Sequence, residues 1–106
     1  KYVEIDLEAE KIFAAEKGSE RILVEIKTIS SASILYQFYA ACGQYEFYRD
    51  QLEEKNIDQL LYLAISKEIY EETQEVEEIV AWLKKHKVNL LVVDLSTETN
   101  SQWITY

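Results

Sequence analysis

Proline is absent from this sequence, methionine is absent, glycine occurs twice, and there is one cysteine and one histidine. Without Pro or Gly clusters there is no linker signature, no internal repeat and no low-complexity segment, so residues 1–106 are expected to form a single domain. The one cysteine, Cys42, cannot close an internal disulfide, and a cytoplasmic location is the simplest expectation. Cys42 and His86 together fall short of a closed Cys/His zinc site. No run approaches the roughly 20 apolar residues of a spanning helix, and no signal peptide is visible. The chain begins "KYVEIDL", already strand-like and without an initiator Met, so an N-terminal piece is expected to be missing. Basic residues are also scarce. Eleven Lys and Arg face twenty Asp and Glu, for a net charge of −9. A free chain of that charge gains no long-range attraction to nucleic acid, because neutralising phosphates takes clustered Lys and Arg. A metal-dependent nuclease survives this test, because cations neutralise carboxylates locally and a partner can supply basic surface.

What is present is patterned. Apolar residues make up 48% of the chain, enough for one core. "YVEIDLEAEKIFAAE" reads as strand with a break or bulge around Leu7 to Glu10. "KGSE", Lys17 to Glu20, is the clearest turn, with Gly18 able to take positive φ. "RILVEIKTI" returns as the partner strand of a long antiparallel hairpin. Ser30, Ser31 and Ser33 offer N-caps for a helix to about Glu54, with Ile34, Phe38, Ala41, Cys42, Tyr45 and Leu52 as its buried stripe. "DQLLYLAIS" is an apolar strand covered on both faces. Ser66 caps a second helix, with Glu68 in its first turn and a core face of Ile69, Thr73, Val76, Val80 and Leu83. "VNLLVVDL" is another strand, and "SQWITY" a short last one. The expected architecture is an α/β sandwich, strand-strand-helix-strand-helix-strand. Its mixed central sheet opens with the antiparallel hairpin and is flanked by helices, and the later strands are parallel neighbours.

Chemistry concentrates on "ILVEIKT". Glu25 and Lys27 stand two apart on a strand and so point to one face. Metal-assisted phosphodiester hydrolysis needs carboxylates to hold Mg²⁺ and a cation beside the phosphate or the attacking water. The second carboxylate is Asp6 or Glu10. A two-residue turn at Lys17-Gly18 sets Glu10 opposite Glu25, while a bulge near Ala9 favours Asp6. On the first helix, Gln37, Gln44 and Tyr48 share one flank of the apolar stripe, and Gln44 could bond a phosphate or a water. The same Glu-x-Lys pattern also occurs on ordinary solvated strands, where charge pairs simply stabilise. Glu71, Glu72, Glu75, Glu77 and Glu78 form a solvated face that could also meet a basic partner. Asp94 reads as a turn former and His86 as a helix C-terminal dipole contact. Trp82, off its helix's core stripe, is a candidate contact for a partner or a second copy, so a homo-oligomer is expected; Trp103 and Tyr106 could seal the sheet edge or serve the same purpose.

"IDLEAEKIFAAEKGSERILVEIKT", then "ACGQYEFYR", "LLYLAIS", "LLVVDL" and "WI", are similar to the XisH family, whose members are named as controlling factors for excision of the fdxN element. "AAEKGSERILVEIK" is the most specific part. The resemblance implies a restriction-endonuclease-like fold of the PD-(D/E)xK type. It also implies a site of a leading acid, Glu-x-Lys and, in some branches, Gln-x-x-x-Tyr. Carried over by position, Glu25 and Lys27 match Glu-x-Lys, and Gln44 and Tyr48 match Gln-x-x-x-Tyr. Asp6 matches the leading acid by type, at a longer spacing than is common, and Glu10 remains its rival. No Pro-Asp dipeptide is present, and the opening helix that the resemblance implies is expected to be missing from this chain. Implied with it are Mg²⁺ with Mn²⁺ as substitute and action on DNA with help from a protein partner such as an XisI-like protein. The rival class is a non-catalytic interaction subunit on the same fold that docks a basic partner.

Overall fold

The computed structural model describes residues 3–7, 10–27, 33–94, 96–97 and 101–106, with side chains from residue 12 onward. The elements are β1 (Val3–Leu7), β2 (Glu10–Lys17), β3 (Glu20–Ile26), α1 (Ile34–Glu54), β4 (Leu61–Ser66), α2 (Lys67–Gln74), α3 (Glu77–Lys85), β5 (Asn89–Val93) and β6 (Ser101–Thr105). They build one six-stranded sheet in the order β1-β2-β3-β4-β5-β6. The β1-β2-β3 and β5-β6 pairings are antiparallel, and β3-β4-β5 are parallel. The expected break after Leu7 thus divides the opening into two strands, and the hairpin becomes a three-stranded meander.

Alternation along the strands separates two apolar clusters. Leu23, Leu61, Leu63, Ile65, Leu90 and Val92 belong to one. Ile22, Val24, Tyr62, Ala64 and Leu91 belong to the other. Phe38 and Tyr45 of α1, Ile69 of α2, and Ile79 and Leu83 of α3 all join the first cluster. Among the described residues, therefore, the helices lie on one face of the sheet and do not flank it on both sides. The strand order explains this. Crossovers between parallel strands are right-handed almost without exception, and strands that advance in one direction send every such crossover over the same face.

The helix ends differ from expectation in two places. Ser33 stands at the N-cap of α1 with φ 59 and makes no side-chain capping bond, because a left-handed residue does not aim its hydroxyl at the first turn. Ser30 and Ser31 lie outside the described residues. The second helix is two helices, interrupted at Glu75 and Val76, and its buried residues are Ile69, Thr73, Ile79 and Leu83. Val76 and Val80 are only half-buried. Ser66 does cap α2, accepting from the Ile69 amide at 3.3 Å. α1 and α3 end alike. Asn56 (φ 57) and Lys87 (φ 49) take left-handed conformations, and the Ile57 and Val88 amides donate back to the Leu52 and Leu83 carbonyls at 2.9 and 3.0 Å. This six-to-one closure satisfies the last helical carbonyls and tucks an apolar residue under each helix end.

α1 is fastened to the sheet by a buried polar node. The Tyr45 hydroxyl donates to the Leu61 carbonyl at 2.8 Å and accepts from the Asn89 amide at 3.2 Å, joining α1 to β4 and β5. One turn on, Arg49 lies over the Tyr45 ring at 5.0 Å. It donates to the His86 and Lys87 carbonyls at 2.8 and 3.2 Å and pairs with Glu46, so it caps the end of α3 from α1.

Candidate metal site

β3 runs inside the sheet, between β2 and β4. Val24 pairs with Phe13 on the antiparallel side, and Glu25 and Ile26 pair with Leu63 and Ala64 on the parallel side. The parallel ladder continues one step further through the Lys27 amide and the Ala64 carbonyl, 3.1 Å apart. Glu25 and Lys27 therefore sit at the carboxyl end of β3. The pleat turns Glu25 to the same face as Leu23, the face that α1 covers.

Under α1, Glu25 is 2% exposed, one of two polar or charged residues buried among the described residues. Lys27 reaches back to it, Nζ to Oε2 at 3.6 Å, with a quarter of its own side chain exposed. The same ammonium donates to the Gln44 amide oxygen from α1. Three of the residues expected at the site thus come together: a buried carboxylate, a half-buried cation and an exposed amide. Tyr48 is buried in the core and meets Phe47 edge-on at 6.1 Å.

The second carboxylate is a different matter. The β2-β3 turn is Gly18-Ser19, with Lys17 paired to Glu20 and Gly18 at φ 63. The expected Lys17-Gly18 turn is displaced by one residue, so Glu10 does not stand opposite Glu25. In the observed register Ile12 comes level with Glu25 and Glu10 falls two positions beyond. Asp6 is paired with Lys11 on β1, the next strand but one from β3, about 10 Å across the sheet. The side chains of Asp6 and Glu10 lie outside the described ones. Among the described residues no group of three His, Cys, Asp or Glu could hold a metal.

Cys42, assigned from the sequence to the helix core alone, adjoins this site. Burial pushes its thiol up to about 12, and the charges of Glu46 and Glu25 add to the shift. The Arg49–Glu46–His86 cluster was also absent from the sequence reading. A Tyr-x-x-x-Arg spacing on one helix face was its only local signal. His86 stacks on Trp82 at 4.3 Å, which half-buries the indole. Trp103 packs edge-on against Tyr62 at 5.2 Å, with the Lys17 ammonium 5.5 Å from its ring. Asp94 forms the expected turn, accepting from the Ser96 amide at 3.0 Å; its bonds to Ser96 hold the carboxyl below the usual range. Glu71, Glu72, Glu75, Glu77 and Glu78 are all exposed. No helix of the described residues is long and apolar enough to cross a membrane.

Fold and site define an α/β protein with a carboxylate–lysine pair at the carboxyl end of a parallel strand, closed over by the first crossover helix. The chain belongs to the XisH family: the model of that family, XisH protein, matches residues 1–101. Two crystal structures are similar to it. One is an XisH family protein from Nostoc punctiforme PCC 73102, with 28% identity and a TM-score of 0.79 over 96% of this chain and 82% of that one. The other is an fdxN element excision controlling factor protein from Anabaena variabilis, with 28% identity and a TM-score of 0.79 over 96% of this chain and 81% of that one. No curated protein matches the chain.

Proposed function

We propose that this chain is a controlling factor for programmed excision of a DNA element, built on a nuclease-type fold, with Glu25, Lys27 and Gln44 as a phosphate-directed site. The role follows the name borne by the similar protein from Anabaena variabilis. The chemistry rests on one observation: a glutamate 2% exposed shares its lysine with an exposed amide at the end of a strand. The restriction-endonuclease-like reading, PD-(D/E)xK in type, accounts for that grouping.

The donor chemistry fits Mg²⁺, with Mn²⁺ as substitute. Glu25 offers hard oxygen, and Mg²⁺ is held by one or two carboxylates with waters and substrate oxygens completing its shell. Asp6 or Glu10 would supply the second carboxylate. A bound ion would supply Lewis-acid polarisation of a phosphodiester oxygen. Lys27 balances the buried charge of Glu25 and carries positive charge to the site's open edge, where a phosphate oxygen can share it. Gln44 holds the ammonium toward that edge. A net charge of −9 makes DNA engagement depend on a partner with basic surface, in the cytoplasm, and an XisI-like protein fits that role.

Calorimetric titration with Mn²⁺ or Mg²⁺, on wild type and on Glu25→Ala, tests the site. Binding heat that disappears in the variant is the expected result, and equal heats from both would remove the metal reading. The second reading, a non-catalytic interaction subunit that docks a basic partner, would then stand. It is favoured by the fact that Lys27 is already engaged by both Glu25 and Gln44, as in a structural ion pair.

A further inference from the structure

The outward face of α1 is left open by the described residues. At about 100° per residue, Tyr36, Tyr39, Gly43, Phe47, Asp50 and Glu54 fall in one stripe opposite the buried Phe38, Tyr45 and Leu52. Tyr36 is 77% exposed, Tyr39 57% and Phe47 53%. The other three are exposed as well. Aromatic residues gathered on one open helix face mark a contact surface.

Gly43 adds an independent sign. Glycine inside a helix is destabilising relative to alanine, so it needs a reason. Its backbone is not left-handed, and a Cβ built there meets nothing within 4 Å. Among the described residues nothing requires the missing side chain. A second backbone pressed against α1 from outside does.

The stripe is also symmetric about that glycine. Tyr39 and Phe47 stand four residues to either side, and Tyr36 and Asp50 stand seven. Two copies of α1 crossing antiparallel at Gly43 set each Tyr39 against the other's Phe47. They also set each Tyr36 hydroxyl beside the other's Asp50 carboxylate, a donor meeting an acceptor. Residue i meets j while j meets i, the condition for a two-fold interface. Beside Gly43, a groove of about 380 Å³ opens between α1 and α3, walled by Phe38, Cys42, Ile79 and Trp82 with Glu78 lining it too. It offers an aromatic ring the kind of apolar pocket in which interface anchors sit.

We infer that the chain forms a two-fold homodimer through α1, with Gly43 at the crossing and Phe47 of each copy seated beside Tyr39 at the other's groove. The interface is separate from the metal reading, because Gln44 lies about 100° around the helix from Gly43, on the side that meets Lys27. Two chains of −9 repel at long range, so salt should strengthen the dimer by screening. A basic partner on the same face would respond in the opposite direction.

Sedimentation equilibrium on the full chain, paired with circular dichroism, tests this with wild type, Gly43→Ala, Phe47→Glu and Glu71→Ala. The expected wild-type result is a dimer that tightens as salt rises. Phe47→Glu should be monomeric with unchanged helix content, and Glu71→Ala should dimerise as wild type does. Gly43→Ala is the sharpest arm. It should weaken dimerisation by about tenfold or more, yet raise the melting temperature of the dilute monomer, where only helix propensity acts. A wild-type chain monomeric at about 100 µM, or a dimer indifferent to both Gly43→Ala and Phe47→Glu, would overturn the inference. The former would leave the face to another occupant, and the latter would place the dimer elsewhere.

Discussion

Removing the Lys27 ammonium is the most telling perturbation of the site, because its partner is buried. Glu25 and Lys27 are 3.6 Å apart, with side chains 3% and 25% exposed. At an effective dielectric of about 20, that separation corresponds to roughly 4–5 kcal/mol of gross attraction. Part of this is cancelled by the desolvation of both groups. Exposed pairs contribute about 0–1 kcal/mol net, whereas breaking a buried pair costs about 3–5. With one partner inside and one at the surface, Lys27→Ala is predicted to destabilise the protein by about 2–3 kcal/mol. Urea unfolding would report this as a lower midpoint at unchanged slope. In a chain of this size the melting temperature should drop by about 10 °C or more. Adding Glu25→Gln should recover part of the loss, because the double variant no longer buries an unbalanced carboxylate; a coupling of at least about 1 kcal/mol is expected. If Lys27→Ala lies within about 0.5 kcal/mol of wild type and the double variant shows no coupling, the pair is a wet surface contact. The reasoning that gives Glu25 a special environment would then be wrong.

Three further outcomes follow from the packing. Tyr45→Phe removes the hydroxyl that ties α1 to Leu61 and Asn89 and should cost about 1–3 kcal/mol by the same unfolding assay; a change too small to resolve would mean the node is replaceable. Arg49→Ala uncaps the His86 and Lys87 carbonyls, so amide exchange at the end of α3 should accelerate well before global unfolding. Unchanged exchange there would refute its capping role. Cys42, held protonated up to about 12 against a reference of 9.0, should resist thiol reagents at pH 8 until the protein is unfolded. Its folded pKa is raised, so the unfolded chain loses its proton first. The stability this contributes is complete below pH 9 and is lost as pH rises toward 12, and Cys42→Ala should make that alkaline decline shallower. The raised phenol of Tyr45 acts in the same direction and keeps some of the slope.

Much of this protein was determined by neighbouring residues alone. Apolar runs bounded by polar residues mark β4 and β5. The stripe from Phe38 to Leu52 marks α1, and Ser66 before Glu68 marks the start of α2. The period of two along β3 places Glu25 and Lys27 on one face before any partner strand is known. These features are local: each depends on residues within one or two turns of the chain, so they can be read from spacing. Even here, the interruption at Glu75 and Val76 left no Gly or Pro to mark it.

Non-local packing decided the rest. A one-residue shift of the β2-β3 turn, from Lys17-Gly18 to Gly18-Ser19, changes which residue faces Glu25. Both turns are compatible with Gly18, so only cross-strand pairing could choose between them. The strand order put all three helices on one face, since the hand of a crossover acts only once the neighbouring strand is fixed. Gln44 meets Lys27 because Tyr45 and Tyr48 set the rotation of α1 over the sheet. That contact joins residues seventeen apart in sequence. Periodicity could place Gln44 on a flank of its helix and Lys27 on a face of its strand; only the packing of helix against sheet brings the two side chains together.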